Sequence, residues 1–187
     1  NYSLKVFTLY RNYLRDFFPN TLGYLINGEF ILKVSPQKIR NILFFLKNHT
    51  QCQYKLLIEI CAVDYPEKKK RFEVSYHLLS ILYNSRINVT TSVDEITPLD
   101  SVTSIFSSAD WLEREVWDMF GIFFFNHNDL RRILTDYGFR GHPLRKDFPL
   151  TGYVEVRYDD IQKRVVTEKV SLSQDYRIFT FNSNWLS

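Results

Sequence analysis

Cysteine is scarce in this chain: Cys52 and Cys61 are the only two in 187 residues, with no C-x-x-C and no histidine at ligand spacing. A structural zinc or an iron–sulfur cluster ordinarily takes four protein ligands, so the chain cannot build an all-cysteine cluster site from its own residues, and buried free thiols are expected. Long apolar runs are missing too. The longest, Phe120 to Phe125 across Gly121, falls far short of the ~20 residues a membrane helix requires. Neither a G-x-G-x-x-G nor a P-loop is present, which removes the usual phosphate cradle for nucleotides. No G-x-S-x-G elbow and no cysteine in a Gly-rich turn supports a nucleophile–histidine pair.

Alanine is rarer still for a common residue, with Ala62 and Ala109 alone, whereas Phe occurs 16 times and Tyr 12. The abundant Leu, Ile, Asn, Lys and Phe have AT-rich codons and Ala has GC-rich ones, so an AT-biased gene of the organellar kind is expected. A GC-rich coding sequence would contradict that. The chain begins at Asn1, so residues are expected to precede it; no Arg/Ser-rich transit peptide or secretory signal is visible.

What is there is the balance of a folded domain. Apolar residues make up 45% and charged ones 24%, enough to bury a core, and the length suits one domain. The formal charge is only +3. The first fifty positions hold a local basic excess (Lys5, Arg11, Arg15, Lys33, Lys38, Arg40 and Lys47 against Asp16 and Glu29), but no dense run of the nucleic-acid type follows.

The pattern along the chain predicts an α+β fold. Helical spacing of Leu4, Phe7, Leu14 and Phe17 or Phe18 is ended by Pro19, and TLGYLINGEFILKV places two apolar runs around an Asn27-Gly28 hairpin turn. Ser35-Pro36 reads as a helix start, with Ile39, Ile42, Leu43 and Leu46 on one face. Three strand-like segments follow, Tyr54 to Val63, Arg71 to Leu82 and Ile87 to Val93, giving one mixed sheet of the hairpin plus three further strands packed with helices. Helical patterns return at Val102 to Phe106 and from Ser108 or Asp110, as cap, to Gly121. Regularity then weakens, dividing the chain into a core domain, 1–125, and an extended C-terminal segment, 126–187. That segment holds a small hairpin of Tyr153 to Tyr158 with Arg164 to Val170, then an irregular tail. Tyr176, Phe179, Phe181 and Trp185 in the tail are expected to pack on a partner.

The densest chemistry lies in EREVWDMFG, Glu113 to Gly121. On a helix, Leu112, Val116, Met119 and Phe120 form the expected buried stripe, with Glu113, Arg114, Glu115 and Asp118 partly outside it and Arg114 able to pair with Asp118. A hydrolytic carboxylate pair must flank one bond, but residues i and i+2 of a helix point about 200° apart, so Glu113 and Glu115 do not make one. His127 and His142 could bind a metal with Asp129 or Asp147, although hydrogen-bonded structural histidines are several times commoner. Arg131, Arg132, Arg140, Arg145 and Lys146 could clamp an anion. Yet Asp129, Asp136 and Asp147 interleave with them and aromatics alternate, which fits a protein interface better than a phosphodiester backbone.

EREVWDMFGIFFFNHNDLRRIL, Glu113 to Leu134, with TDYGFRGHPLRKDFPLTGYVEVRYDD, Thr135 to Asp160, resembles the 30-kDa subunit family of respiratory complex I, the proton-pumping NADH:ubiquinone oxidoreductase. The resemblance is dense over about fifty contiguous residues; the first hundred agree only in the order of elements. It implies a cofactor-free core subunit of the peripheral arm, in the quinone-reducing module, with no catalytic residues of its own. NADH, FMN, the iron–sulfur clusters and ubiquinone would belong to the whole complex. It further implies contact with the 49-kDa and PSST-type subunits, a C-terminal extension wrapping a neighbour, and a place on the matrix side of the mitochondrial inner membrane. Glu113, Arg114, Glu115, Asp118, His127, Asp129, Arg131, Arg132, His142, Arg145, Lys146 and Asp147 are then the signature and interface residues. The chain departs from the family at Asn128 and Asn184, where proline is usual, and at Arg140, where an acid is common. Two rival readings remain open: an anion- or RNA-binding module using Arg131, Arg132 and Arg140, and a metal or carboxylate hydrolase at His127 and His142.

Overall fold

A computed structural model describes residues 2–19, 21–26 and 29–179. The Asn27-Gly28 turn, Asn184 and the tail aromatics Phe181 and Trp185 lie outside the described residues, as do the side chains of Leu4 and Phe7. Helix α1 (Tyr2–Phe17) leads into β1 (Leu22–Ile26) and β2 (Glu29–Val34), and a single 3-10 turn at Pro36–Lys38 opens α2 (Ile39–Asn48). Strands β3 (Leu56–Asp64), β4 (Phe72–Ser80) and β5 (Ser85–Val93) complete a five-stranded sheet in the order β1-β2-β5-β4-β3. All neighbours are antiparallel except β2 and β5, which run parallel across the α2 crossover, so the sheet is mixed as expected.

The α2 crossover follows from its sequence. Proline presets the first turn, and Ile39, Ile42, Leu43 and Leu46 fall on one face and are all buried. Each such side chain contributes about 1.5–3 kcal/mol by leaving water. In β4 the alternation is complete: Phe72, Val74, Tyr76, Leu78 and Ser80 face the core, and the residues between them lie on the opposite face. Leu14 of α1, the α2 face, and Ala109, Val116 and Phe120 of the third helix join that same core.

Helix α3 (Ala109–Phe120) is flanked by two-residue strands β6 (Leu99–Asp100) and β7 (Phe124–Phe125), paired in parallel. The helix expected at Val102 to Phe106 is only a single turn, closed by Ile105 and Phe106 N–H donating to Val102 O. A hairpin of β8 (Val154–Asp159) and β9 (Arg164–Lys169) follows. Contacts group residues through Asp147 into one compact unit and those from Phe148 onward into another, a division later than the change of pattern at 125/126.

Candidate functional site

Ser108 immediately precedes helix α3, but its hydroxyl does not cap the helix; it donates to Leu57 O of β3 at 3.1 Å. The helix ends at Gly121, whose φ of 75° takes the left-handed form that closes it, its N–H donating to Trp117 O at 2.9 Å. The buried side differs from the stripe read off the sequence. Glu113 and Asp118 are 0% exposed and Arg114 9%, whereas Leu112 and Met119 are only partly buried. The physical reason is a second covering layer: the loop 126–147 lies against α3 and supplies Arg114 and Asp118 with polar backbone instead of water, and the 101–106 turn does the same for Glu113.

Glu113 accepts two hydrogen bonds, from Ser101 Oγ at 2.6 Å and Val102 N at 2.8 Å, which fasten the 101–106 turn to the helix. Its burial pushes the carboxyl up to about 7 against the lowering effect of those two donors. Asp118 has the opposite balance. Its Oδ2 accepts from Ile133, Leu134 and Thr135 N–H at 3.2, 2.8 and 2.9 Å, and its Oδ1 accepts from Thr135 Oγ1 at 2.7 Å. Three successive amides wrapped round one carboxylate form an anion-holding nest. Desolvation raises this carboxyl's pKa, but the four bonds outweigh it and hold Asp118 below the ordinary aspartate range.

Arg114 does not pair with Asp118 as expected. Its Nε donates to Arg131 O at 3.1 Å and its Nη2 to Arg132 O at 3.5 Å, while the guanidinium lies 5.9 Å from the Trp111 ring centroid. Thus Arg114 holds the carbonyls and Asp118 the amides of one continuous stretch, 131–135.

The next part of the loop closes the helix end. A helix leaves its last carbonyls without internal partners. Here His142 Nδ1 donates to Asp118 O at 3.0 Å, Leu144 N–H to Met119 O at 3.1 Å and Arg145 Nε to Phe120 O at 2.6 Å. The arginine also places positive charge at the negative end of the helix dipole. Burial pushes the His142 imidazole below its ordinary value, and its ring meets Trp117 edge-on at 5.7 Å. Gly121 has to be glycine in this arrangement: a Cβ there would lie 2.6 Å from His142 Nε2 and 2.7 Å from Arg145 Nη2.

His127 sits at the other end of α3. Its Nδ1 accepts from Asp129 N–H at 3.1 Å, so the proton is on Nε2, which donates to Asp110 O at 3.1 Å and lies 3.8 Å from Glu113. The two histidines therefore bond to carbonyls at opposite ends of one helix and do not converge on a common ligand. Among the described residues no group of three or more His, Cys, Asp and Glu is placed to hold a metal ion.

Lys146 and Asp147 join a cluster that sequence reasoning missed. Asp64, buried at the end of β3, receives both Arg71 Nε (2.6 Å) and Nη2 (2.7 Å), together with Lys146 N–H at 2.8 Å. Arg71 also meets Asp147 at 3.0 Å and Glu95 at 2.5 Å. The Arg71 guanidinium holds Asp64 below the usual carboxylate range. Arg71 and Arg145 both stack near the Phe72 ring, at 5.3 and 5.2 Å from its centroid. The only hint in the sequence was an aspartate ending an apolar strand opposite an arginine that opens the next. Of the remaining predicted residues, Glu115, Asp129, Arg131 and Arg140 are exposed; Arg131 pairs with Asp129 at 3.0 Å, and Arg132 lies 3.6 Å from Asp118.

Residues 32–154 match the family described as "Respiratory-chain NADH dehydrogenase, 30 Kd subunit". The chain is 64% identical over 158 residues to NADH-ubiquinone oxidoreductase subunit 9 of Reclinomonas americana, covering 84% of this chain and 78% of that protein. It is 65% identical over 144 residues to NADH dehydrogenase [ubiquinone] iron-sulfur protein 3 of Solanum tuberosum, covering 77% and 76%. Among solved structures it is similar to a chain of the membrane-bound sulfane sulfur reductase, an archaeal respiratory membrane complex. There the TM-score is 0.66 at 26% identity, covering 76% of this chain and 85% of that one.

Proposed function

The chain belongs to the family of the 30-kDa subunit of respiratory-chain NADH dehydrogenase, and from that premise we propose how it serves the peripheral arm: as a scaffold without chemistry of its own. As a core subunit of complex I its partners are other subunits of the complex. No helix among the described residues is long and apolar enough to cross a membrane, which is compatible with peripheral attachment.

The observation that carries the scaffold reading is the β8–β9 hairpin. Val154, Val156 and Tyr158 of β8 share a face with Val165 across the ladder, and all four are more than half exposed. The opposite face carries charge, with Arg157 gripping Glu168 through bonds of 2.7 and 2.6 Å. A two-stranded hairpin is marginal alone in water, and an apolar face of this kind is covered by a partner. The 49-kDa and PSST-type subunits, on the matrix side of the mitochondrial inner membrane, are the partners this reading assigns. The buried signature charges support it from within: Arg114 and Asp118 shape the loop 126–147, and His127 and His142 bond to carbonyls at opposite ends of α3.

The reading further holds that no redox group is bound by this chain itself. The name of the Solanum tuberosum relative includes iron–sulfur protein. Here Cys52 is buried and receives a Tyr10 hydroxyl at 3.6 Å, burial pushes its thiol up, and Cys61 lies on β3; two thiols fall short of the four ligands a cluster takes.

Replacing chromosomal or organellar expression by a chain ending at Asp147 tests the scaffold role. Native gels of detergent-solubilised membranes are expected to lose the assembled complex. Normal assembly with reduced turnover per complex would overturn the reading.

A further inference from the structure

The sheet's outward face carries a second polar feature, and it does not depend on the scaffold reading. Lys33 of β2, Lys68 and Lys70 of the β3–β4 loop, Ser35 and Ser92 line a recess of about 290 Å³. Lys68 is held by Tyr65, whose ring centroid lies 3.5 Å from its ammonium, and Lys68 N–H closes a turn onto Tyr65 O at 3.0 Å. Glu73 faces Lys33 at 3.8 Å and Lys68 at 3.9 Å, both beyond hydrogen-bond length, and among the described residues Lys70 makes no ion pair. Two ammonium groups thus share one carboxylate, and the third has none among the described residues. Beside them Thr90, 3% exposed, pairs in register with both Lys33 and Ser75, two residues from Ser92 on the same face. Its buried hydroxyl has no hydrogen-bond partner among the described residues, but Thr90 is not one of the residues that line the recess.

We propose that this recess binds a phosphate-bearing anion, either inorganic phosphate or the phosphoryl group of an ester such as a nucleotide. A phosphate carries roughly 1.5–2 negative charges near neutral pH and offers acceptor oxygens only. That matches a site with ammonium and hydroxyl donors and two positive charges left over after Glu73. Lysine contributes as a point charge that adjusts to the ligand, where a planar arginine fork would fix its direction. The volume exceeds a bare phosphate, leaving space for the first atoms of an ester.

Calorimetric titration of the full chain with inorganic phosphate, and separately with ADP, tests this in chloride buffers of matched ionic strength. Saturable one-to-one binding that weakens with salt is expected. Lys70→Ala and Lys33→Ala should each weaken it about fivefold, the scale of a partly exposed charge contact. Glu73→Gln should tighten it, a gain that misfolding cannot mimic. Tighter binding of ADP than of phosphate would support the ester source, and equal binding the phosphate group alone. Undiminished binding in both lysine variants overturns the proposal, as does heat seen only with an acidic peptide.

Discussion

Removing the Asp118 carboxylate should detach the loop while leaving the sheet folded. In Asp118→Ala, the amides of Ile133, Leu134 and Thr135 and the Thr135 hydroxyl all lose their acceptor at once. A hydrogen bond to a charged group contributes about 1.5–3 kcal/mol, and a stranded buried donor costs about 1–3 kcal/mol. Four such losses cannot be absorbed in place, so the segment opens into water, and the cost is capped by its remaining contacts. Those contacts include Arg114 with the Arg131 and Arg132 carbonyls and Arg145 with Phe120 O. A fall of about 3 kcal/mol in the local opening free energy is the reasonable scale, or roughly 150-fold faster exchange at one pH unit's worth per 1.36 kcal/mol. Amide hydrogen exchange should show it at 133–135, with the β4 amides unchanged. Asp118→Asn keeps the shape but loses the charge and one acceptor, and should fall between. Equal protection of 133–135 in wild type and Asp118→Ala would refute the reasoning.

Three further substitutions probe other joints. Glu113 has a folded pKa raised from about 4.5 to about 7, so the native state holds the proton more tightly than the unfolded chain. Its contribution therefore favours folding below about pH 4.5 and is lost as pH rises toward 7, about 3 kcal/mol at most. Glu113→Gln should flatten that decline in melting temperature between pH 5 and 8; parallel wild-type and variant slopes would count against it. The depressed Asp118 and Asp64 act in a separate window, losing their contribution only as pH falls below the ordinary carboxylate range. Gly121→Ala should cost about 2–4 kcal/mol in urea unfolding, combining left-handed strain with displacement of His142 and Arg145. Arg71→Ala strands the buried Asp64 and should cost about 3–5 kcal/mol, with Asp64→Asn in the same chain restoring part of it. No recovery would place the loss elsewhere.

The elements were legible where one physical rule dominated. The α2 face, the strand runs and the Gly121 stop follow from periodicity, β-branching and the left-handed cap, and each was placed to within a few residues. The short Val102 to Phe106 segment misled because its single turn is not continued: Ile105 and Phe106 N–H close onto Val102 O, and the next turn bond is Ala109 N–H to Phe106 O. The orientation of α3 was illegible for a deeper reason. Hydropathy assigns a carboxylate to water, but Asp118 is solvated by backbone amides sixteen or so positions away, and nothing in its own neighbours marks it as buried. The Asp64–Lys146 bond spans 82 positions and had no local signal at all. Glu113 and Glu115 were correctly separated by helix geometry; one is buried and the other exposed.

On the proposed scaffold role, the charges of α3 frame a loop and thereby an assembly, with no part in bond chemistry. Charge reversal by Arg114→Glu or Asp118→Lys, followed by measuring both the amount of assembled complex on native gels and NADH:ubiquinone turnover per assembled complex, tests it most directly. Depleted complex with normal turnover in whatever assembles is the predicted result. Normal abundance with impaired turnover would contradict it.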